Sequence, residues 1–275
     1  MKSQPFFLDT PDGRLFAIHH RPDDGVAVRG QVLCVLPFNE EMNRSRSMVT
    51  LQAQAFAAQG WGTLVLDLLG TGDSEGDFVD ARWDRWQRNL EAGLHWLQAQ
   101  PGGVRWLWGI RLGALLAAEL QAKLGRAQLG LLLWQPVADG KTHLTQFLRV
   151  RMAAALDRAD APKETAATMR EQLARGEPLE VAGYLLHPEL TAAIDAAQLG
   201  QAALPPGTPV LWLEQAQGEP PAATLGTQTL LKRWPGEACP CTLQLFNGPA
   251  FWQQHNRAEA PEAITLTTDW VNAHA

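Results

Sequence analysis

The stretch Trp106–Gly113, which reads WLWGIRLG, holds the pattern in this chain that points most directly to chemistry. Apolar residues lead into the five-residue turn GIRLG, and Ala114–Leu124 is predicted to be a helix. A buried strand, a tight turn and a helix form a nucleophile elbow, which projects its central residue, the serine of G-x-S-x-G, from the top of a sheet. The central residue here is Arg111, whose guanidinium is always charged and has no nucleophilic lone pair. The turn therefore predicts a fold, and it predicts that acyl-serine chemistry does not start at position 111.

Alternating strands and helices must position this turn. The predicted strands are Phe6–Leu8, Leu15–His20, Gln31–Leu36, Trp61–Leu66, Arg105–Trp108, Leu129–Trp134, Val210–Glu214 and Thr242–Phe246. The other predicted helices are Met48–Gln59, Arg82–Gln100, a helix near Ala222–Trp234, and Ala260–Asn272. This order predicts a mostly parallel sheet with helices on both faces.

The segment Asp139–Leu204 breaks this alternation. It is rich in alanine, helical in pattern throughout, and has no strand-like run. We interpret it as a helical cap, residues 139–204, inserted over the carboxyl edge of the sheet. Residues 1–138 and 205–275 then form the core of the domain.

Composition excludes several classes of function. The net charge is −6 and no block of Lys and Arg occurs, which argues against a nucleic-acid partner. The first residues lack the apolar segment of a signal peptide and no apolar run is long enough for a membrane span, so neither is expected. The glycine-rich turn Gly70–Asp77 does not fit a dinucleotide loop, because Glu75 stands where the third glycine would be. No metal site and no cofactor is expected, and the three cysteines favour a reducing, cytoplasmic setting.

Several motifs resemble those of the α/β-hydrolase superfamily. The turn DLLGTGDSEGD after Leu66 contains the D-x-x-G-x-G-x-S pattern common in that superfamily. The stretches LPFNEEMNRSRSM, DLLGTGDSEGDF and WGIRLGALLAAEL together resemble the proteins known as hydrolase 2 of exosortase-A systems. The resemblance implies an α/β-hydrolase fold, an ester or acyl hydrolase activity, and partner proteins in an exopolysaccharide or protein-sorting system. The resemblance implies nothing about the oligomeric state.

The residues argue against a Ser-His-Asp triad. The four serines are Ser3, Ser45, Ser47 and Ser74; none follows the elbow, and Ser74 is expected to shape its turn. The acid should follow Val210–Glu214, where only Glu214 or Glu219 could stand in for an aspartate. Phe251 occupies the place where the resemblance implies a histidine, and His255 lies four residues further on. Six other histidines lie in no motif and are expected to be superficial or structural: His19, His20, His95, His143, His187 and His274.

What the turn retains is a scaffold that can bind an oxyanion. The N–H groups of Leu112 and Phe38 are the expected donors, and Arg111 adds a positive charge at a helix N-terminus. A buried guanidinium needs a negative partner, which is either a bound anion or a carboxylate of this chain. The candidate carboxylate partners of Arg111 are Glu40, Glu41, Asp73 and Glu214. The predicted pocket also includes Asn39, Phe251 and Trp252.

Three functions remain open at this point. The chain could be an enzyme in which Glu40, Glu41 or His255 activates water near Arg111. It could be a non-catalytic binder of an acidic or acyl small molecule under the cap. It could also be a scaffold that binds a protein partner.

Overall fold

The computed structural model of the protein describes residues 1–156, 165–236 and 238–274. Its strands, β1 to β10 in chain order, are Lys2–Thr10, Gly13–Arg21, Gly30–Val35, Trp61–Leu66, Val104–Ile110, Gly130–Trp134, Leu179–Val181, Tyr184–Leu186, Val210–Gln215 and Cys241–Phe246. The α-helices, α1 to α8, are Glu40–Ala58, Trp83–Gln98, Leu112–Leu124, Gly140–Leu156, Ala166–Ala174, Pro188–Ala196, Leu225–Leu231 and Pro261–Ala273.

Eight of these strands form one sheet in the order β1-β2-β4-β3-β5-β6-β9-β10. Strands β1 and β2 form an antiparallel hairpin, and β2 also pairs antiparallel with β4. The other neighbouring strands pair in parallel, so the carboxyl ends of β3, β5, β6 and β9 meet at one edge. The predicted class, a mostly parallel sheet between helices, is confirmed.

The central strands are buried on both faces, which is why their sequences are continuously apolar. In β3, Leu33 and Val35 pack in a core with α2 and α3, whereas Val32 and Cys34 pack in a second core with α1 and α8. Most of the eleven tryptophans are buried or partly buried in these cores. The two cores hold α1 and α3 against the sheet, so the loops before these helices have fixed positions.

The segment between β6 and β9 differs in one respect from its prediction. It was expected to be helical throughout, but β7 and β8 form an antiparallel hairpin within it. The strands are only three residues long, and the turn between them is Ala182-Gly183, where both residues have positive φ. A turn of that kind is typical of a tight hairpin. Residues 157–164 of the predicted cap lie outside the described part of the chain.

A second difference concerns the first helix, which is predicted to begin at Met48. Helix α1 begins at Glu40, so Glu40 to Asn43 form its first turn. Asn39 is the N-cap residue, and the two glutamates that follow it favour a helix start because carboxylates complement the positive end of the helix dipole. Within the described residues no helix is both long enough and apolar enough to cross a bilayer.

Candidate functional site

The turn between β5 and α3 has the backbone geometry of an elbow. Arg111 follows the last residue of β5 and is the N-cap of α3, with φ 54° and ψ −120°. This is the conformation of the first central residue in a type II′ turn, which favours glycine. A Cβ atom on Gly113 would lie 2.3 Å from the backbone oxygen of Val35, and one on Gly109 would lie 2.5 Å from the Cα of Ala114. Arg111 therefore has a strained backbone conformation, and both glycines are required by close backbone approach.

The guanidinium of Arg111 is paired within the protein. Its Nε donates to both carboxylate oxygens of Glu41, at 3.1 and 3.2 Å, and its Nη1 donates to the backbone oxygen of Gln135 at 3.1 Å. The guanidinium carbon lies 5.4 Å from the ring centre of Trp252, within the range of a cation–π contact. The side chains of Arg111 and Glu41 are only 13% and 17% exposed. The negative partner that the sequence required is therefore Glu41.

A second strained turn lies beside the first. Asn39, which follows β3 and caps α1, has φ 53° and ψ −131° and is 5% exposed. Neither the Nδ2 nor the Oδ1 atom of this side chain has a hydrogen-bond partner, although both are buried. An unpaired buried polar group costs about 1–3 kcal/mol. The side-chain amide of Asn39 is thus buried without a hydrogen-bond partner at the edge of the sheet where the parallel strands end.

A cavity of about 250 Å³, the site cavity, lies between these two turns and helix α4. Its charged side chains are Glu40, Glu41, Arg44 and Arg111. They form two ion pairs, because Arg44 Nη2 donates to Glu40 at 2.6 Å just as Arg111 donates to Glu41. The remaining lining residues are Phe38, Asn39, His143, Gln146, Phe147, Val150 and Gln253. The formal charge of the lining is therefore balanced when His143 is neutral.

His143 is kept neutral by its surroundings. It lies on α4, is 8% exposed, and its ring packs edge-on against Phe38 with 6.1 Å between ring centres. Burial and the nearby positive charge of Arg111 lower the pKa of this imidazole to about 3. Neither ring nitrogen has a hydrogen-bond partner among the described residues, so at neutral pH the ring offers one donor and one acceptor.

Glu41 is the other titratable group with a displaced pKa in this cavity. Burial raises the pKa of its carboxyl group, while the charge and hydrogen bond of Arg111 act in the opposite direction. The carboxyl group is buried beside a guanidinium, and it lies on the wall of a cavity large enough for a small molecule.

The other predicted site residues are divided among several places. Phe38 lines the site cavity, and both Phe38 and Leu112 line a separate small cavity of about 20 Å³. Phe251 and Trp252 are buried, with Phe251 against Trp134 and Trp252 under Arg111. Trp252 contacts the guanidinium, Phe251 packs on Trp252, and neither ring lines the site cavity.

Three predicted residues lie away from Arg111. Glu214 is buried at the end of β9, where its oxygens accept from Trp212 Nε1 at 3.0 Å and Thr224 N at 2.7 Å. Asp73 faces a separate cleft, described below. His255 is exposed and does not line the site cavity. Ser74 has the structural role expected of it, because its hydroxyl donates to the backbone oxygen of Asp67 at 2.7 Å.

Sequence reasoning missed His143, Arg44 and the backbone oxygen of Gln135. Arg44 follows Glu40 by four residues, and that spacing would have predicted their pair once a helix was placed there. Nothing in the sequence around His143 indicates that α4 would present it to Arg111. Among the described residues no cluster of His, Cys, Asp and Glu side chains is arranged to hold a metal ion.

Comparison with known proteins bears on the fold alone. The sequence matches none of the protein-family profiles and none of the curated protein sequences with which it was compared. Its structure is similar to that of Est1E from Butyrivibrio proteoclasticus with bound ferulic acid, at 16% identity and a TM-score of 0.66 over 98% of this chain and 96% of that one. It is also similar to a thermostable carboxyl esterase from Bacillus coagulans, at 14% identity and a TM-score of 0.65 over 99% of each chain. The alpha/beta hydrolase GrgF from Penicillium sp. sh18 is a third, at 15% identity and a TM-score of 0.66 over 100% of this chain and 99% of that one. With its mostly parallel eight-stranded sheet, the protein has the α/β-hydrolase fold.

Proposed function

We propose that this chain is a non-catalytic binder that holds a small uncharged acyl compound, such as an ester or amide of a short acid, in the site cavity. The observation that carries the proposal is the amide of Asn39, which is buried and has no partner on either polar atom. A carbonyl oxygen and a neighbouring N–H or O–H group of a ligand would satisfy both atoms. His143, which also lines the site cavity, supplies a neutral donor and acceptor.

The charges of the cavity favour an uncharged ligand over an acidic one. Glu41 already supplies the negative partner that a bound anion could have supplied to Arg111. A ligand carboxylate would meet Glu40 and Glu41 without a free guanidinium to neutralise it, since Arg44 is paired as well. Like charges at close range in a partly desolvated site are unfavourable.

The position of Arg111 also supports binding without serine chemistry. Its side chain fills the turn from which a nucleophile would project, and it is held there by Glu41, Gln135 and Trp252. The residues at the expected acid and base places are Glu214, whose oxygens are engaged by Trp212 and Thr224, and the apolar Phe251. We therefore propose that all three positions of the triad are replaced.

Matched probes test this proposal. We expect methyl hexanoate to bind at least about tenfold more tightly than hexanoate in a titration followed by tryptophan fluorescence. The variants Asn39→Gly and His143→Phe should each weaken methyl hexanoate binding about tenfold, which corresponds to about 1.4 kcal/mol. Asn256→Ala, which removes an exposed amide outside the cavity, is the control and should bind normally. Tighter binding of hexanoate, or no binding of either probe, would overturn the proposal.

A hydrolytic function is the second candidate, and one observation favours it. The Glu41 carboxyl has a pKa raised by burial and lies on the cavity wall, so it could accept a proton from an attacking water. This function predicts turnover of p-nitrophenyl hexanoate that Glu41→Gln abolishes. The binding function predicts that the ester stays intact and that a fluorophosphonate probe labels no serine.

The biological setting proposed for this binder rests on the sequence motifs. The resemblance to hydrolase 2 of exosortase-A systems supports a place beside exopolysaccharide or protein-sorting enzymes. The three free cysteines support a cytoplasmic location. Affinity purification of the tagged chain from its native cells should recover proteins of that system, and recovery of unrelated proteins only would count against this setting.

A further inference from the structure

A second cleft, of about 430 Å³, opens on the other side of Asn39 from the site cavity. It lies between helix α1, the glycine-rich turn after β4 and the β7–β8 hairpin. The polar residues that line it include Asn39, Asn43, Arg46, Asp73 and Tyr184. We call it the second cleft, and the function proposed above makes no use of it.

The floor of the second cleft is built around an ion pair. Arg46 Nη2 donates to both carboxylate oxygens of Asp67, at 3.0 and 2.9 Å, and Asp67 is 2% exposed. The backbone N–H of Asp73 donates to Asp67 at 3.0 Å, which ties the glycine-rich turn to this pair. A Cβ atom on Gly72 would lie 1.9 Å from Asp67 Oδ2, so only glycine fits there. The floor is thus a fixed structure.

Several polar groups face the second cleft without partners. The Nε and Nη1 groups of Arg46 and the carboxylate of Asp73 have no hydrogen-bond partner among the described residues. The same holds for the hydroxyl of Tyr184 and the amide of Asn43. The cleft thus offers donors on Arg46, whose charge Asp67 balances, and acceptors on the exposed carboxylate of Asp73.

Hydroxyl groups complement this lining better than ions do. A hydroxyl accepts a hydrogen bond from a guanidinium and donates one to a carboxylate, and it does so without net charge. An anion would face the carboxylate of Asp73, and a cation would face the unpaired N–H groups of Arg46. The ring of Tyr184 packs edge-on against Phe78, 5.1 Å away, and provides an apolar surface for the carbon skeleton between hydroxyls.

The second cleft and the site cavity share Asn39 and are separated by aromatic rings. Phe38 lies 5.9 Å from Phe78 and 5.5 Å from Phe147, and the ring of Tyr184 is 6.3 Å from that of Phe147. Asn39 lines both spaces, and the two polar atoms of its buried side chain have no hydrogen-bond partner. A molecule that passes Asn39 would place one end in each space.

We propose that the second cleft binds the polyhydroxyl end, a sugar or a polyol, of the same ligand whose acyl group occupies the site cavity. This inference rests on the proposed function and extends it. The ligand is then an acyl ester or amide of a sugar or polyol, with its carbonyl group beside Asn39.

The test compares esters that share the hexanoyl group. The probes are methyl hexanoate, 1-hexanoylglycerol, 6-O-hexanoylglucose and hexanoylcholine, titrated against the whole chain and checked afterwards for intact ester. We expect at least one of the two polyol esters to bind about tenfold more tightly than methyl hexanoate, and the stronger of them identifies polyol or sugar as the source. Asn43→Ala and Asp73→Ala should each remove most of this gain and leave methyl hexanoate binding unchanged.

Controls separate this inference from the function on which it rests. Asp9→Ala removes an exposed carboxylate far from the second cleft along the chain and should leave every affinity unchanged. Equal binding of methyl and polyol esters, both sensitive to Asn39→Gly, would overturn the inference while the proposed function stands. Preferential binding of hexanoylcholine would overturn it as well, because the cleft would then recognise a cation. Binding of none of the four would overturn both.

Discussion

Two turns at the same edge of the sheet have almost the same backbone and opposite side-chain environments. Asn39 and Arg111 both have φ near 54° with strongly negative ψ, and both cap a helix without a side-chain capping hydrogen bond. Arg111 is satisfied by a carboxylate, a backbone oxygen and an aromatic ring, whereas the buried amide of Asn39 has no partner. From this comparison we infer that the charged residue at the elbow stabilises the fold, and it supports the proposal that the uncharged residue beside it contacts a ligand.

The largest effect expected from this contrast is the loss of the Arg111–Glu41 pair. Arg111→Ala leaves Glu41 as an unpaired buried carboxylate, and we expect the free energy of unfolding to fall by about 3–5 kcal/mol in urea denaturation. The double variant Arg111→Ala with Glu41→Ala should recover part of that loss, because no isolated charge remains. A loss below about 1 kcal/mol for the single variant would show that Arg111 is not a structural residue.

A smaller effect should follow from the neutral state of His143. Its pKa is about 3 in the folded protein and about 6.5 when unfolded, so the unfolded chain binds more protons below pH 6.5. Folding stability should therefore decrease as the pH falls from 6.5 towards 3, by about 2 kcal/mol between neutrality and pH 5 from this residue alone. His143→Phe should remove that part of the slope. His19 and His20, whose pKa values are also lowered by burial, keep their own contributions in both proteins, so the difference between the two pH profiles isolates His143.

The smallest effect concerns Asn39. Asn39→Gly removes strain of about 1–3 kcal/mol and an unpaired polar group, and it adds the conformational entropy cost of glycine. We expect the free energy of unfolding to stay the same or rise by about 1 kcal/mol in urea denaturation, while acyl-ligand binding weakens. Arg111→Gly places the same residue in the same backbone conformation. It should nevertheless destabilise the protein as Arg111→Ala does, because Glu41 loses its partner. A large loss of stability in Asn39→Gly would remove the contrast between the two turns.

The strands at the centre of the sheet were predicted well from the sequence, because the residues that define and bound each strand are close together in the chain. The apolar runs of β3, β4 and β6 are bounded by glycine, proline or aspartate, and the strands were placed within one or two residues. The β7–β8 hairpin was missed because strands of three residues give no usable alternation. The start of α1 was misplaced although Asn39 followed by two glutamates is a helix-start pattern.

The site was predictable only as a set of alternatives. Charge and burial required a negative partner for Arg111, but choosing Glu41 depends on how α1 lies across the sheet, 70 residues away in sequence. His143 could not be predicted at all, since its place depends on how α4 packs over the strand ends. The unpaired amide of Asn39 likewise becomes visible only when every neighbouring atom has a position.

The pairing of Arg111 with Glu41 also has a consequence for how this protein can change over generations. A single substitution that introduces serine at position 111 would leave a buried carboxylate facing the new hydroxyl, and the protein would lose much of its stability before any new chemistry could be selected. Substitution of Glu41 first leaves a lone guanidinium and meets the same barrier. Arg111 and Glu41 must therefore be replaced together. This epistasis between the two positions, in addition to the backbone geometry, keeps the elbow in its present form.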